Sequence, residues 1–210
     1  IISNSVDTLC IGGGYNEDDS EIDLRSGKIG IHMHSHNGLA IGSFNGDALI
    51  DISDKCKLEL TVSGIKVTGI GSCKGIATIS SSADIAISCT GAQAVAIGSL
   101  EDGEGSIYIK SGNLMMKMRS AKNSAIGAIK GNMNTRVENA DISIDSEGDE
   151  ITGIGDALGT GNVAIIDSAV TMKILAANPK DIGTGSGDLK IVNSTVSSLI
   201  NNKVITHSNI

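Results

Sequence analysis

A short motif recurs seven times along the chain: a small residue, then Ile, Gly and a further small or polar residue. The copies are Cys10-Ile11-Gly12-Gly13, Ala40-Ile41-Gly42-Ser43, Gly69-Ile70-Gly71-Ser72, Ala96-Ile97-Gly98-Ser99, Ala125-Ile126-Gly127-Ala128, Gly153-Ile154-Gly155-Asp156 and Asp181-Ile182-Gly183-Thr184, the last led by Asp. The Ile anchors stand 30, 29, 27, 29, 28 and 28 positions apart. A period of this size marks a stacked repeat, in which each unit buries its apolar face against the next.

Downstream of each anchor a variable, Gly- or acid-rich stretch leads into a short alternating run, such as Ile22-Asp23-Leu24, Ile50-Asp51-Ile52 or Ile107-Tyr108-Ile109. A bend and a second run follow, such as Ile29-Gly30-Ile31, Leu58-Glu59-Leu60 or Ile142-Ser143-Ile144. Alternation with period two is the signal of a strand with one buried face. With the anchor, each repeat carries three short strands and three bends. The expected fold is therefore all-β, a single-stranded parallel β-helix (β-solenoid) of about seven coils of roughly 28 residues, about 34 Å long at ~4.8 Å per coil.

The bend between the two runs tests this alignment. Two residues beyond the last apolar residue of each first run stand Ser26, Asp54, Ser81, Ser111, Asn139, Asp167 and Asn193. Their side chains bond to nearby backbone and stabilise turns. Asn4, after Ile2, reads as the same bend of a preceding coil.

Composition agrees with thin aliphatic layers. The 210 residues include 27 Gly and one Pro, with no Trp, one Phe and two Tyr, and 40% are hydrophobic. That apolar content suffices for a core and argues against disorder. The net charge is −8, no Lys or Arg block is dense enough to follow a phosphate backbone, and aromatic platforms are scarce, so nucleic acid is not an expected partner. No apolar run approaches a membrane span. The chain is read as one domain, 1–210, excised from a longer protein, with 199–210 as a cap or partial coil. Cys10, Cys56, Cys73 and Cys89 lack zinc-type spacing and are read as small hydrophobes in aliphatic ladders, with a disulfide between coils as the lesser alternative.

The segments Ser106-Ile107-Tyr108-Ile109-Lys110-Ser111-Gly112-Asn113-Leu114 and Ala96-Ile97-Gly98-Ser99 resemble the Gly-rich β-helix repeats of bacterial cell-surface proteins, with units of the style GTITISGGTV and GAGIGGG. The resemblance spans nearly the whole chain. It implies a scaffold used for adhesion, glycan contact or spacing, in an extracellular or cell-surface setting, and it transfers no functional residue.

Four features depart from scaffold. His32, His34 and His36 alternate with Met33 and Ser35 and would share one outer strand face. Neighbouring imidazoles about 7 Å apart could hold Zn or Ni; the competing reading is a solvated strand face. Two acidic stretches, Glu17, Asp18, Asp19 and Glu21, and Asp145, Glu147, Asp149 and Glu150, read as loops of the kind that bind Ca²⁺ or as solvated surface, the latter favoured. If the anchor Ile points inward, its small neighbours would form a flat outer stripe bordered by Ser43, Ser72, Ser99, Asp156 and Thr184; the simpler account is that the anchor Gly serves a tight bend at positive φ.

An enzyme on this fold would gather two carboxylates, or a base with acidic metal ligands, over adjacent central coils. The sequence shows no such gathering. The expectation is a non-catalytic module of a larger bacterial protein, a spacer, adhesin or glycan-contacting surface, with a polysaccharide or protein as partner. The alternatives are a pectin lyase-like polysaccharide enzyme and an intracellular, cytoplasmic accessory or sensor module.

Overall fold

The computed structural model describes residues 2–13, 19–101, 103–156 and 158–208, with backbone alone for 2–5. Strand β1 (Ile2–Gly13) is followed by seven coils, each a short strand and a longer one. They are β2 (Ser20–Leu24) with β3 (Gly27–Ser43), β4 (Ala48–Ile52) with β5 (Cys56–Ser72), β6 (Ile76–Ser81) with β7 (Asp84–Ser99), and β8 (Gly103–Ile109) with β9 (Gly112–Ala128). The remaining coils are β10 (Gly131–Glu138) with β11 (Ala140–Asp156), β12 (Val163–Ile166) with β13 (Ala169–Ile182), and β14 (Leu189–Val192) with β15 (Thr195–Ile200); β16 (Lys203–His207) ends the fold.

The short strands stack as one parallel sheet, in the order β2-β4-β6-β8-β10-β12-β14. The long strands stack as a second, β1-β3-β5-β7-β9-β11-β13-β15, with β16 added antiparallel at the end. The chain is thus a parallel β-solenoid of seven coils. All seven anchor Ile residues fall in one register, Ile11 beside Ile41, Ile70, Ile97, Ile126, Ile154 and Ile182. Each of the six from Ile41 onward is buried in the main core, and burying one such side chain contributes about 1.5–3 kcal/mol.

All three alternating segments of each repeat are present, but the second run and the anchor belong to one long strand. In β5 the burial pattern alternates through Cys56–Val62, reaches the surface at Ile65, then turns fully buried from Val67 to Ser72. The ladder skips a pair at that corner: Gly64 pairs with Ser35 and Lys66 with Asn37, but Ile65 is unpaired in between.

The anchor ends in a tight turn. Every anchor Gly has φ between +114° and +142°, a region that L side chains rarely adopt. At Gly98 an added Cβ would stand 1.9 Å from the carbonyl oxygen of Gly127 in the next coil. The small residues beside the anchors do not form an exposed stripe. Ala40, Ala96 and Ala125 are buried in the main core, and Ser43, Ser72, Ser99 and Asp156 are also buried. The backbone kinks at the Gly, so both the Ile and its small predecessor turn inward.

Leu39, Phe44, Val95 and Leu100 are buried outside the main core cluster. They come from two positions, two residues before and three after an anchor Ile. The chain leaving the anchor therefore lies back over the strand and closes a second, thinner apolar layer.

One corner residue differs from expectation. Ser81 pairs with Ile52 and Ile109 and is buried. That coil has one residue fewer between its first run and Ala83, so the corner passes to Ser82. The oxygen left inside is used, since Ser81 Oγ accepts the Ala83 N–H at 3.2 Å. At three other corners Asn139, Asp167 and Asn193 adopt φ of 46–48°, a left-handed conformation that Asn and Asp tolerate.

All four cysteines are free. Cys56 and Cys89 sit in the core as expected of small hydrophobes. Burial pushes the Cys89 thiol up to about 12. Burial does the same for Cys73, also to about 12, against the Thr68 hydroxyl 3.8 Å away. Pro179 lies within β13 opposite Ile151. The pairing of β13 to β15 ends at Ile174, so no following strand calls on the missing N–H. Beyond β15, Asn201 and Asn202, both at positive φ, form the two-residue turn that folds β16 back on β15.

Candidate functional site

Four residues before each anchor Ile stands a polar residue: Asp7, Asn37, Lys66, Gln93, Lys122, Glu150 and Asn178. Each is in register with the next, so they form one ladder parallel to the solenoid axis. The position follows the corner of the long strand, where the side chain turns outward. Rungs bond to one another: Asn37 Nδ2 donates to Asp7 Oδ1 at 2.7 Å, and Lys122 Nζ lies 2.9 Å from Glu150 Oε2.

Over the later coils this ladder floors a trough. One cavity of about 330 Å³ is lined by Gln93, Leu100, Glu101, Lys122, Ile129 and Glu150 among others. A second, of about 560 Å³, is lined by Glu150, Thr152, Leu158, Asn178, Pro179 and Lys180 among others. Glu150 and Leu158 border both, so the two adjoin along the ladder. Cavities of this size accommodate small ligands or segments of longer ones. From Gln93 to Asn178 the trough crosses four coils, roughly 14 Å at ~4.8 Å per step.

The walls arise where the outer apolar layer thins. Phe44 and Leu100 cover the early coils, but Gly185 holds the equivalent place after the last anchor and has no side chain to do so. Leu158 is left 77% exposed, and Lys180 occupies the position that Leu39 and Val95 fill elsewhere, its Nζ donating to the Thr184 carbonyl at 3.1 Å. Glu101 bonds Lys66 and has Lys74 Nζ at 3.9 Å. Pairs this exposed add little stability, so their charges are available to a ligand at small cost.

Asp156 lies beneath the rim. Its Oδ1 accepts the Ala128 N–H at 2.9 Å and its Oδ2 the Met133 N–H at 2.6 Å. Burial pushes its carboxyl up to about 6, against the lowering effect of these two bonds and of Lys180.

The sequence pointed elsewhere. His32, His34 and His36 do share the outer face of β3, with Met33 and Ser35 buried between them, and His34 Nδ1 is 3.0 Å from Ser63 Oγ. Among the described residues no three His, Cys, Asp or Glu side chains converge on one point. Of the first acidic stretch, Glu17 and Asp18 lie outside the described residues, and Asp19 accepts the Asp47 N–H at 3.0 Å. The second is not a loop. Asp145, Glu147, Asp149 and Glu150 lie on β11 as it turns its corner at Gly148. Asp145 and Glu147 face Arg119 of the preceding coil at 2.7 and 3.3 Å, because strands in register place opposite charges side by side.

The other sheet carries Tyr108, whose hydroxyl donates to Glu138, while Arg136 and Lys110 each lie 5.7 Å from the ring centroid. These partners already engage the ring and the hydroxyl. Of the trough residues the sequence reading singled out Glu150 alone, as part of the second acidic stretch, although the whole ladder was readable as a fixed offset from the anchor. Leu158 and Glu101, in irregular segments, gave no such signal.

No helix among the described residues is long and apolar enough to cross a membrane. No family model, no curated protein and no solved structure matches the chain.

Proposed function

We propose that the chain is a non-catalytic β-solenoid module of a larger bacterial surface protein, and that it holds a segment of an extended saccharide chain along its axial trough. The observation that carries this reading is the run of two adjoining cavities over four coils above a ladder of amide and charged side chains. A polymer with a regular repeat would meet a donor or acceptor at each coil, with the exposed Leu158 as an apolar contact. The rest of the rod acts as a spacer that fixes the trough at a set height.

The test is titration of the protein with acidic and neutral oligosaccharides, followed by amide chemical shifts and calorimetry. Saturable binding that perturbs Gln93, Lys122, Glu150 and Leu158, and that weakens about tenfold in Leu158→Ser (about 1.4 kcal/mol), is expected. Perturbations confined to other faces, or none with any saccharide, would overturn the reading.

A second reading is a polysaccharide-cleaving enzyme, favoured by one observation: two carboxylates, Glu101 and Glu150, line the same cavity, as glycoside hydrolysis requires. Release of new reducing ends, abolished in Glu150→Gln, would establish it in place of simple binding.

A further inference from the structure

Asp156 occupies a position that is Ser43, Ser72 and Ser99 in earlier coils, Ala128 in the coil before and Thr184 in the coil after. Ser43 Oγ accepts the Gly46 N–H of its own turn at 3.0 Å and Thr184 Oγ1 the Gly187 N–H at 2.7 Å, while Ser72 Oγ donates to the Lys74 carbonyl at 2.7 Å and more distantly, at 3.4 Å, to the Gly46 carbonyl of the preceding coil. Asp156 reaches into the neighbouring coil and grips both ends of the 128–133 segment through the Ala128 and Met133 amides. Ile129 and Lys130, between those ends, line the trough. Asp156 also stands two residues before Leu158, which lines the same trough, and Gly159 and Gly161 pack so closely that an added Cβ on either would meet its carboxylate within 2.9 Å.

We propose that Asp156 is a pH-responsive clamp on the trough: ionised, its carboxylate ties the two rim segments together, and protonation slackens that tie. Bonds from an N–H to a carboxylate are roughly twice as strong as those to a neutral acid. A protonated oxygen is also a poorer acceptor, so one of the two amides loses much of its partner. The charged group that bears on Asp156 is Lys180 of β13. Asp181 of the same strand is engaged by His207, β12 carries no ionisable residue, and Arg136 and Glu138 of β10 bond each other. Burial places the transition near pH 6, within the range a surface protein meets. The function of the clamp rests on the saccharide-binding reading; its existence does not.

The experiment uses the free protein. The carboxyl carbon of Asp156 is titrated by NMR, and hydrogen exchange of the Ala128 and Met133 amides is followed from pH 7.5 to 5, corrected for intrinsic rates. The expected result is titration near pH 6 with a fall in protection of one or both amides by about tenfold across the same interval. Asp156→Ser, the residue of three equivalent turns, and Asp156→Asn should each remove the pH step. A carboxyl that titrates near 4, or protection that stays level while it titrates, overturns the proposal. In a second arm, saccharide affinity is measured at pH 7.5 and 5. A clamp without any saccharide binding sinks the functional reading alone, and binding without a pH step in the amides sinks the clamp alone.

Discussion

His207 donates its Nε2–H to Asp181 Oδ2 at 2.6 Å and so joins the terminal strand β16 to the last anchor. An ionised carboxylate only accepts, which fixes the proton on Nε2. The pair replaces scaffold with chemistry at one place: Asp181 stands where the other anchors carry Cys, Ala or Gly. His207 lies opposite the buried Val196 in the antiparallel pair, on the inward side of the hairpin.

Asp181 is held below the usual carboxylate range. Burial, the largest single influence, raises it, but the lowering influences, with the bonds from His207 and the Ile182 N–H foremost among them, together outweigh burial. Its folded value lies below its unfolded one, so its contribution to stability is fully present above the unfolded value of ~3.9 and is lost as the pH falls through the folded value. His207→Ala should cost about 1–3 kcal/mol. Hydrogen exchange should show the β15 and β16 amides losing protection in this variant ahead of the rest of the rod, and in the native chain only on acidification below about pH 4. Unchanged hairpin protection in His207→Ala would remove the His207–Asp181 hydrogen bond from the account.

Gly98→Ala should be among the most damaging single-methyl changes in the chain. The new Cβ meets a backbone oxygen, and φ is +136°, so neither a rotamer change nor a small shift relieves it. A loss of about 2–4 kcal/mol is expected in urea unfolding. Gly30→Ala is the control, because nothing lies within 4 Å of its added Cβ; equal losses in the two variants would contradict the close approach.

Phe44→Ala tests the outer layer. Phe44 is 3% exposed yet lies outside the main core. Loss of its ring should cost about 3 kcal/mol and should uncover Leu39, read as faster exchange of the amides around Leu39 and Thr68. A cost below about 0.5 kcal/mol, typical of surface sites, would mean that the layer is not packed.

The anchors and alternating runs could be read because period two and a fixed repeat length are local signals, and in a parallel stack local equivalence becomes contact. Ile41, Ile70 and Ile97 were expected to align and do. Ser81 was misplaced because the sequence records the order of residues but not which coil is a residue short; the next coil's register reveals that. The tight bend favoured for the anchor Gly is present at positive φ, whereas the alternative of an outward stripe at Ala40 and Ala96 carried strict alternation through a strand that bends, and both residues are buried.

The trough was harder to find for the same reason. Its floor sits at a constant offset from the anchors and is written in the sequence as Gln93, Lys122, Glu150 and Asn178. Its walls depend on where Leu100, Ile129 and Leu158 land after irregular turns.

By itself, then, the sequence determined the parallel solenoid, its number of coils and the residues that fill its aliphatic core, since each follows from spacing along one chain. Only the tertiary structure decided which face is covered, where the trough opens, and that Asp156 and Asp181 are gripped from neighbouring segments. Those outcomes depend on side chains 23 to 28 residues apart meeting across coils, and on small differences in turn length that shift one coil against the next.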